Sequence, residues 1–486
     1  MNVLFATMEM SPLAKVGGLG DVAGSLPRAL RATGADVRVA MPMHGAIERA
    51  SLPLRRVLQG VEVAWPDGPQ HVDVWQTDAR GVPVYLLENE RYFGRPTVYG
   101  FDDDLERFIF FCDALLACAP HLGFRPDVVH AQDWHTAFLM TRLATSPAHP
   151  WADAGRVYTI HNLALQGNFD EGFAHRHGLA SADLAPPDGL PWSTGLSGMA
   201  QGIMHADRVN TVSDTYAREI LTPEYGAGLD PLLRARAAVV SGIVNGIDYD
   251  EFNPRTDPAI ACHFSADDPA GRADDRRALQ EEAGLPASET AVVFAAVTRL
   301  FAQKGMDLAA SAFERLLDGQ DAQLIILGTG DEELHRTLLR LQDAHPDRVK
   351  IWLDFNPPLG QRIYAGCDAF LMPSRYEPCG LGQLIALRYG AVPLARRTGG
   401  LADTVQDADL AAAAGNGFVF DQPTAADLQA AAERALAAFR DRAGWRALQD
   451  RGMRQDWSWG RAAGKYLELY RAAHAVRLQE RGVAGA

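Results

Sequence analysis

The sequence predicts an α/β protein built on parallel sheets in two domains, and three observations lead there. Short apolar runs alternate with amphipathic helical stretches from one end of the chain to the other, the pattern of strands joined by crossover helices. At 486 residues the chain exceeds what one hydrophobic core usually serves. The alternation breaks once, in a polar, Asp- and Pro-rich stretch from Tyr249 to about Glu289, before Val292-Val293-Phe294 opens a second series.

The apolar runs place strands at Val3–Ala6, Val37–Met41, Val84–Leu87, Val128–Ala131, Val157–Ile160 and Arg208–Val212. After the break they fall at Ala291–Ala296, Gln323–Leu327, Val349–Leu353 and Ala369–Met372. Several end in small, polar or chemically capable residues, which is where open α/β sheets hold ligands. The polar stretch reads as a connector. Thr424–Phe439 is Ala-rich and a good helix, and the tail from Trp457 to about Gln479 is amphipathic.

Composition excludes more than it identifies. Hydrophobic residues at 47% and charged residues at 22% are ordinary for a globular chain. A net charge of -15 disfavours nucleic acid as a partner, since phosphates call for basic surfaces. Five cysteines without a CxxC pair suggest neither a disulfide framework nor a zinc site. The opening Met-Asn-Val-Leu-Phe-Ala lacks a basic leader, so a cytoplasmic location is expected. No apolar stretch is long enough for a membrane span.

Five segments carry candidate chemistry. Lys15-Val16-Gly17-Gly18-Leu19-Gly20-Asp21-Val22 follows the first strand; glycines there let a phosphate approach the backbone and the amides of the next helix. A tight turn is the plain alternative. A nicotinamide site would want an acid closing the second strand, which instead runs Val37-Arg38-Val39-Ala40-Met41-Pro42-Met43-His44. Val128-Val129-His130-Ala131-Gln132-Asp133-Trp134-His135 sets a carboxylate beside an indole, a pairing suited to sugar hydroxyls and sugar C–H faces. Asp133 as a helix N-cap with Trp134 in the core accounts for the same residues. Tyr158-Thr159-Ile160-His161-Asn162 ends in a hydrogen-bonding His with no second His at metal-ligand spacing. His175 and His177 nearby read as surface residues.

In Val297-Thr298-Arg299-Leu300-Phe301-Ala302-Gln303-Lys304-Gly305, two cations after a strand can converge on a diphosphate, or simply sit on a solvated turn. The most specific segment is Met372-Pro373-Ser374-Arg375-Tyr376-Glu377-Pro378-Cys379-Gly380-Leu381-Gly382-Gln383. A strand ends there, a carboxylate follows in a Pro/Gly loop, and a helix is expected from about Gly380. An ordinary strand-to-helix turn remains the alternative, and Cys379 reads as a small buried thiol. Asp102-Asp103-Asp104 contains the DxD string of metal-dependent transferases, yet it precedes Leu105-Glu106-Arg107-Phe108 and reads as an acidic helix start. Gly328-Thr329-Gly330-Asp331 and Thr398-Gly399-Gly400 are further glycine turns after strands.

In order along the chain, Lys15–Val22, His161-Asn162, Arg299 with Lys304, and Glu377-Pro378-Cys379-Gly380 resemble the bacterial glycogen synthases and plant starch synthases, from Glu9 to Trp457-Ser458-Trp459. The resemblance implies a GT-B architecture, two Rossmann-like domains with a deep interdomain cleft. Residues 1–245 would be the acceptor domain, 246–456 the nucleotide-sugar domain, and 457–486 a C-terminal helix crossing back to the first. It implies a hexosyltransferase moving glucose from ADP-glucose to the non-reducing end of an α-1,4-glucan such as glycogen, with retention of configuration and no metal or other cofactor.

By the same resemblance Glu377, His161, Arg299 and Lys304 are the catalytic set. Lys15, Gly18, Asp21, Tyr99, Asn245, Phe355, Gly380, Leu381 and Gly382 are donor-side positions, and Glu9, Asp133, Trp134 and Asn162 acceptor-side ones. Ile385 stands where wider GT-B enzymes often carry a second Glu, an acid that glycogen synthases generally lack; Gly382 replaces a frequent Thr, and Asn356-Pro357-Pro358 is unusual after Phe355. UDP-glucose as donor is the nearest alternative. An NAD-dependent oxidoreductase would need the missing ribose acid, and a non-catalytic sugar-binding protein would not need the cations together with Glu377.

Overall fold

A computed structural model describes residues 1–484. The chain forms two compact units, Met1–Asn245 joined by the segment from Trp459 onward, and Gly246–Ser458.

The first unit holds β1 (Asn2–Ala6), β2 (Asp36–Pro42), β3 (Arg55–Val63), β4 (Gln70–Ala79), β5 (Val82–Glu88), β6 (Val128–Gln132), β7 (Gly155–Ile160), β8 (Arg208–Thr211) and β9 (Val240–Gly242). They lie in the order β3-β4-β5-β2-β1-β6-β7-β8-β9. From β5 to β9 all neighbours are parallel; β3 and β4 pair antiparallel at one edge. Strands β1, β6 and β7 are buried almost throughout, as continuous apolar runs require when helices cover both faces. The edge strand β3 is largely exposed, so its sequence carries no apolar run, and it was not legible beforehand.

The second unit holds β10 (Val292–Val297), β11 (Ala322–Leu327), β12 (Val349–Trp352), β13 (Ala369–Met372), β14 (Val392–Arg396) and β15 (Phe418–Phe420). All are parallel, in the order β12-β11-β10-β13-β14-β15. Phe294, Phe313, Leu324, Ile326, Leu371, Leu394 and Trp445 are among its core residues. The expected connector is in fact part of this unit. It contains the helix Arg272–Glu282, whose Arg276 reaches Asp368 at 3.0 Å while Arg272 donates to the backbone of Tyr389. The Ala-rich helix runs Ala425–Phe439, capped by Thr424.

The terminal helix spans Trp459–Ala484, two residues later at its start than the boundary read from sequence. Trp457 stays with the second unit because its carbonyl accepts from the Ile247 amide at 2.8 Å. In the first unit this helix packs on the helix Gly18–Ala32 and on β7. Tyr466 and Tyr470 are fully buried. Tyr470 Oη lies 2.9 Å from His130 Nδ1, and His130 Nε2 lies 2.6 Å from Thr159 Oγ1. Gly155 lets the two backbones meet: a Cβ there would stand 2.7 Å from the His474 amide.

Each sheet has one point where the connections leave in opposite directions. In the first it lies between β1 and β6, in the second between β10 and β13. Ligands of open α/β sheets bind beyond the carboxyl ends of strands at such points. Glu9 follows β1 and Asp133 follows β6; Arg299 and Lys304 follow β10 and Glu377 follows β13.

Candidate active site

At the first switch point Glu9 is buried. Its Oε2 accepts from the Val16 and Gly17 amides at 2.7 and 2.8 Å, and its Oε1 from Tyr99 Oη at 2.9 Å. The glycine loop is therefore tied to the end of β1 by a carboxylate. Close packing explains Gly20, whose added Cβ would stand 3.0 Å from Lys15 Cγ, but at Gly17 and Gly18 a Cβ would meet nothing within 4 Å. The open space lies at the N-terminus of the helix Gly18–Ala32, where unpaired amides favour an anion. Lys15 Nζ pairs with Asp21 at 2.5 Å; burial nonetheless raises the Asp21 carboxyl, Lys15 only partly offsetting it.

Tyr99 stacks on His135 at 4.9 Å, and His135 packs against Trp134 at 4.5 Å. These rings join Glu9 to the sugar platform read from sequence. Asp133 adopts the left-handed region, φ +54, which Asp tolerates better than most residues. Its Oδ1 does not cap its own short helix; it accepts from the His161 amide at 2.7 Å and the Asn162 amide at 3.4 Å. The capping alternative therefore fails, because the carboxylate bridges the ends of β6 and β7. Burial lifts its pKa to about 7, the two amides partly opposing and Glu9 adding to the rise. Trp134 is half-buried, edge-on to Phe108 at 5.2 Å.

Desolvation lowers His161 to about 3 and His135 to about 3, so both rings are neutral at any working pH. His161 Nε2 lies 2.7 Å from Gln132 Oε1. His177 is not a surface residue: just past the short helix Glu171–Arg176, it is buried between Trp65 and Phe173. The Asp102-Asp103-Asp104 string is occupied structurally, Asp103 by Arg95 at 2.7 Å and Asp104 by Arg107.

At the second switch point Lys304 Nζ lies 2.6 Å from Glu377 Oε2, which also accepts from Ser374 Oγ at 2.9 Å. Glu377 is 5% exposed, and its Oε1 has no partner among the described residues. The carboxylate thus keeps one oxygen for a ligand. Two glycine loops close on it. Gly399, at φ +44, brings its backbone against the Glu377 carbonyl, where a Cβ would stand 1.9 Å away. Gly305, at φ +68, does the same 2.1 Å from the Pro373 carbonyl. Arg299 is exposed, its guanidinium 5.8 Å from the Phe301 ring, and it forms no ion pair or hydrogen bond among the described residues. The Gly328–Asp331 turn supports its loop, Asp331 donating its amide to the Leu300 carbonyl at 2.8 Å.

Phe355 is 77% exposed after β12. The unusual Asn356-Pro357-Pro358 is a helix start: Asn356 accepts from the Leu359 amide at 3.1 Å, with prolines in the first turn. The helix after Glu377 begins at Gly382 rather than Gly380, which has φ +74, with Leu381 as N-cap. Cys379 is buried. Asn245 is buried with its Oδ1 unpartnered among the described residues.

Sequence reading passed over Gln132 and Ser374, both buried and both holding a site residue. The available signal was a polar residue at or just past the carboxyl end of a buried parallel strand.

Two α/β units with ligand-facing switch points, one carrying aromatic rings and carboxylates, the other a Lys–Glu pair, define a glycosyltransferase. Comparison with known proteins makes the class specific. The family described as starch synthase catalytic domain matches residues 2–235, and glycosyl transferases group 1 matches residues 279–447. The glycogen synthase of Syntrophotalea carbinolica is 43% identical over 480 residues, covering 97% of this chain and 99% of the relative. That of Moorella thermoacetica is 43% identical over 481 residues, covering 97% of each. Among solved structures, the catalytic domain of starch synthase IV from Arabidopsis thaliana, bound to ADP and acarbose, matches with TM-score 0.90 and 34% identity over 98% of this chain and 99% of that one. Sucrose-phosphate synthase from Thermosynechococcus elongatus shares the fold, with TM-score 0.60 at 18% identity. The chain belongs to the glycogen and starch synthase family: it is a glucosyltransferase of GT-B fold that extends a glucan from a nucleotide-sugar donor.

Proposed function

We propose that the donor is ADP-glucose and that glucose passes, with retention, to the 4-hydroxyl at the non-reducing end of an α-1,4-glucan. The observation that carries this reading is the buried Lys304–Glu377 pair with Ser374 on the same oxygen. A cation and a carboxylate held side by side match the two charges of the transition state. Lys304 and the free Arg299 meet the growing negative charge on the diphosphate, and Glu377 the positive charge on the sugar ring. The exposed Phe355 ring offers a stacking face for adenine, and the amides of Gly380–Gly382 face the phosphates. Lys15, Gly18 and Asp21 form the first unit's phosphate-receiving element, with Tyr99 and Asn245 also on the donor side. The ADP in the Arabidopsis starch synthase structure supports adenine over uracil.

The glucan is received by Glu9, Asp133, Trp134 and Asn162, with His161 binding a hydroxyl of the transferred glucose. In the front-face route, the acceptor oxygen bonds to C1 while the C1–O(phosphate) bond breaks toward ADP. The departing phosphate oxygen takes the acceptor's proton. ADP is a good leaving group, so no metal or other cofactor is required. The five free cysteines suit a cytoplasmic setting.

The test is incubation with maltooligosaccharide and either ADP-glucose or UDP-glucose, with released nucleotide and product anomer measured. Faster ADP release with an α-linked product is expected; preference for UDP-glucose or a β-linked product would refute the reading.

A further inference from the structure

Gln132 closes β6, is fully buried, and spends one amide atom on His161. The ring's Nε2 lies 2.7 Å from Gln132 Oε1. A carbonyl oxygen only accepts, so with the Gln132 amide oxygen turned to the ring this contact requires the ring proton on Nε2. His161 Nδ1 is then a bare lone pair, with no partner among the described residues. The other amide atom, Gln132 Nε2, is also buried without one. A buried amide donor left unpaired is destabilising, and a ligand oxygen or bound water would satisfy it. The buried carboxamide of Gln201, by contrast, is used up by Thr141 and Gly195.

We propose that Gln132 is a positioning residue that fixes His161 as the neutral Nε2–H tautomer, so that Nδ1 accepts a hydrogen bond from a hydroxyl of the transferred glucose. This rests on the reading of His161 given under Proposed function and extends it to a second residue and a defined proton position. With the opposite tautomer, the ring would present N–H to the same hydroxyl. That hydroxyl could then no longer donate to the ring, and the sugar would have to turn to be bound. The effect falls on the geometry of the donor's glucose, not on glucan affinity.

The experiment is nitrogen NMR of the full-length protein labelled only in histidine, with His161 assigned by its loss in His161→Gln. It is paired with kinetics of Gln132→Leu. The wild-type ring is expected to show a protonated Nε2 and a pyridine-type Nδ1. In Gln132→Leu the signal should move toward a tautomer mixture, kcat should fall about tenfold, and KM for maltooligosaccharide should hold. A protonated Nδ1 in the wild-type protein overturns the proposal, and this readout does not depend on any variant folding. Gln132→Leu with the wild-type tautomer and unchanged kcat overturns it as well. Failure of the His161 reading itself looks different: His161→Gln keeps full turnover while the wild-type spectrum still shows Nε2–H.

Discussion

The two switch points solve one problem, holding polar groups in a dry site, by opposite means. At the ends of β6 and β7 in the first unit, burial pushes the groups toward their neutral forms, whereas Lys15 and Asp21 after β1 stay paired at 2.5 Å. Asp133 is lifted to about 7, and His135 and His161 are lowered to about 3 each, with backbone amides and a carboxamide as partners instead of counter-ions. In the second unit the charge is kept and paired, Lys304 with Glu377 at 2.6 Å. A neutral, hydrogen-bonding surface suits a polyhydroxyl glucan; a charged one suits a diphosphate. The difference teaches that two sites at the ends of similar parallel sheets can meet the cost of desolvation in different ways, with neutral hydrogen-bonded groups or with paired charges.

Removing charge from the second unit should break this contrast most severely. Lys304→Ala leaves a buried carboxylate with only Ser374, and turnover is expected to fall about a hundredfold or more. Breaking a buried pair also costs about 3–5 kcal/mol, so thermal unfolding of the second unit should shift down. Near-normal turnover in the folded variant would show that the pair is structural.

The next effect tests whether the glycine loops hold Glu377 in place. Gly399→Ala sets a Cβ 1.9 Å from the Glu377 carbonyl at φ +44. The loop must move, at a cost of about 1–3 kcal/mol for the backbone alone, and kcat should drop. An unchanged melting temperature and kcat would show that the loop adjusts freely.

A milder perturbation sharpens the comparison at the level of whole units. His44 is lowered to about 4, and His130, His135, His161, His177 and His205 also lie below the usual histidine value through burial, all in the first unit. The unfolded chain binds protons on these rings near pH 6.5 while the folded unit does not. Their contribution is therefore whole above about pH 6.5 and is lost as pH falls toward the folded values. Asp133 and Asp21, both raised by burial, act in the other direction, Asp133 losing its contribution as pH rises through about 7, but they are two groups against six. Amide exchange at about pH 7 and about pH 5, corrected for intrinsic rates, should show protection falling in β6 and β7 more than in β10 and β13. Equal loss in both sheets would contradict this.

The smallest effect is expected at Phe355, 77% exposed. Phe355→Ala should leave stability unchanged and raise the KM for the nucleotide sugar, by a factor matching about 1–3 kcal/mol of stacking at most. No change in KM would remove Phe355 from the donor site.

Much of this was legible from residue order. The strands Val128–Ala131 and Ala369–Met372 were placed to within a residue, because strands buried on both faces must be continuously apolar. The exposed edge strand β3 leaves no such trace, and β4, β9, β14 and β15 also escaped the reading, β14 with Pro393 inside its run and β15 only three residues long. The segment after Tyr249 looked like a linker, since its polar residues serve buried ion pairs such as Arg276–Asp368, whose partner lies far along the chain. His177 looked exposed for a related reason: its aromatic neighbour Trp65 is distant in sequence.

Sequence alone determined the two series of parallel strands, the candidate ligand-binding residues at their ends, and the resemblance that assigned each a role, because strand periodicity and motif spacing are local properties of the chain. Only the tertiary structure decided that Asp133 bridges two strand ends instead of capping a helix. It alone decided that Glu377 gives one oxygen to Lys304 and Ser374 and keeps the other, and that Gln132 grips His161. Those outcomes depend on strand order and burial, which bring together groups up to 73 residues apart and set the solvation in which each must hold its proton.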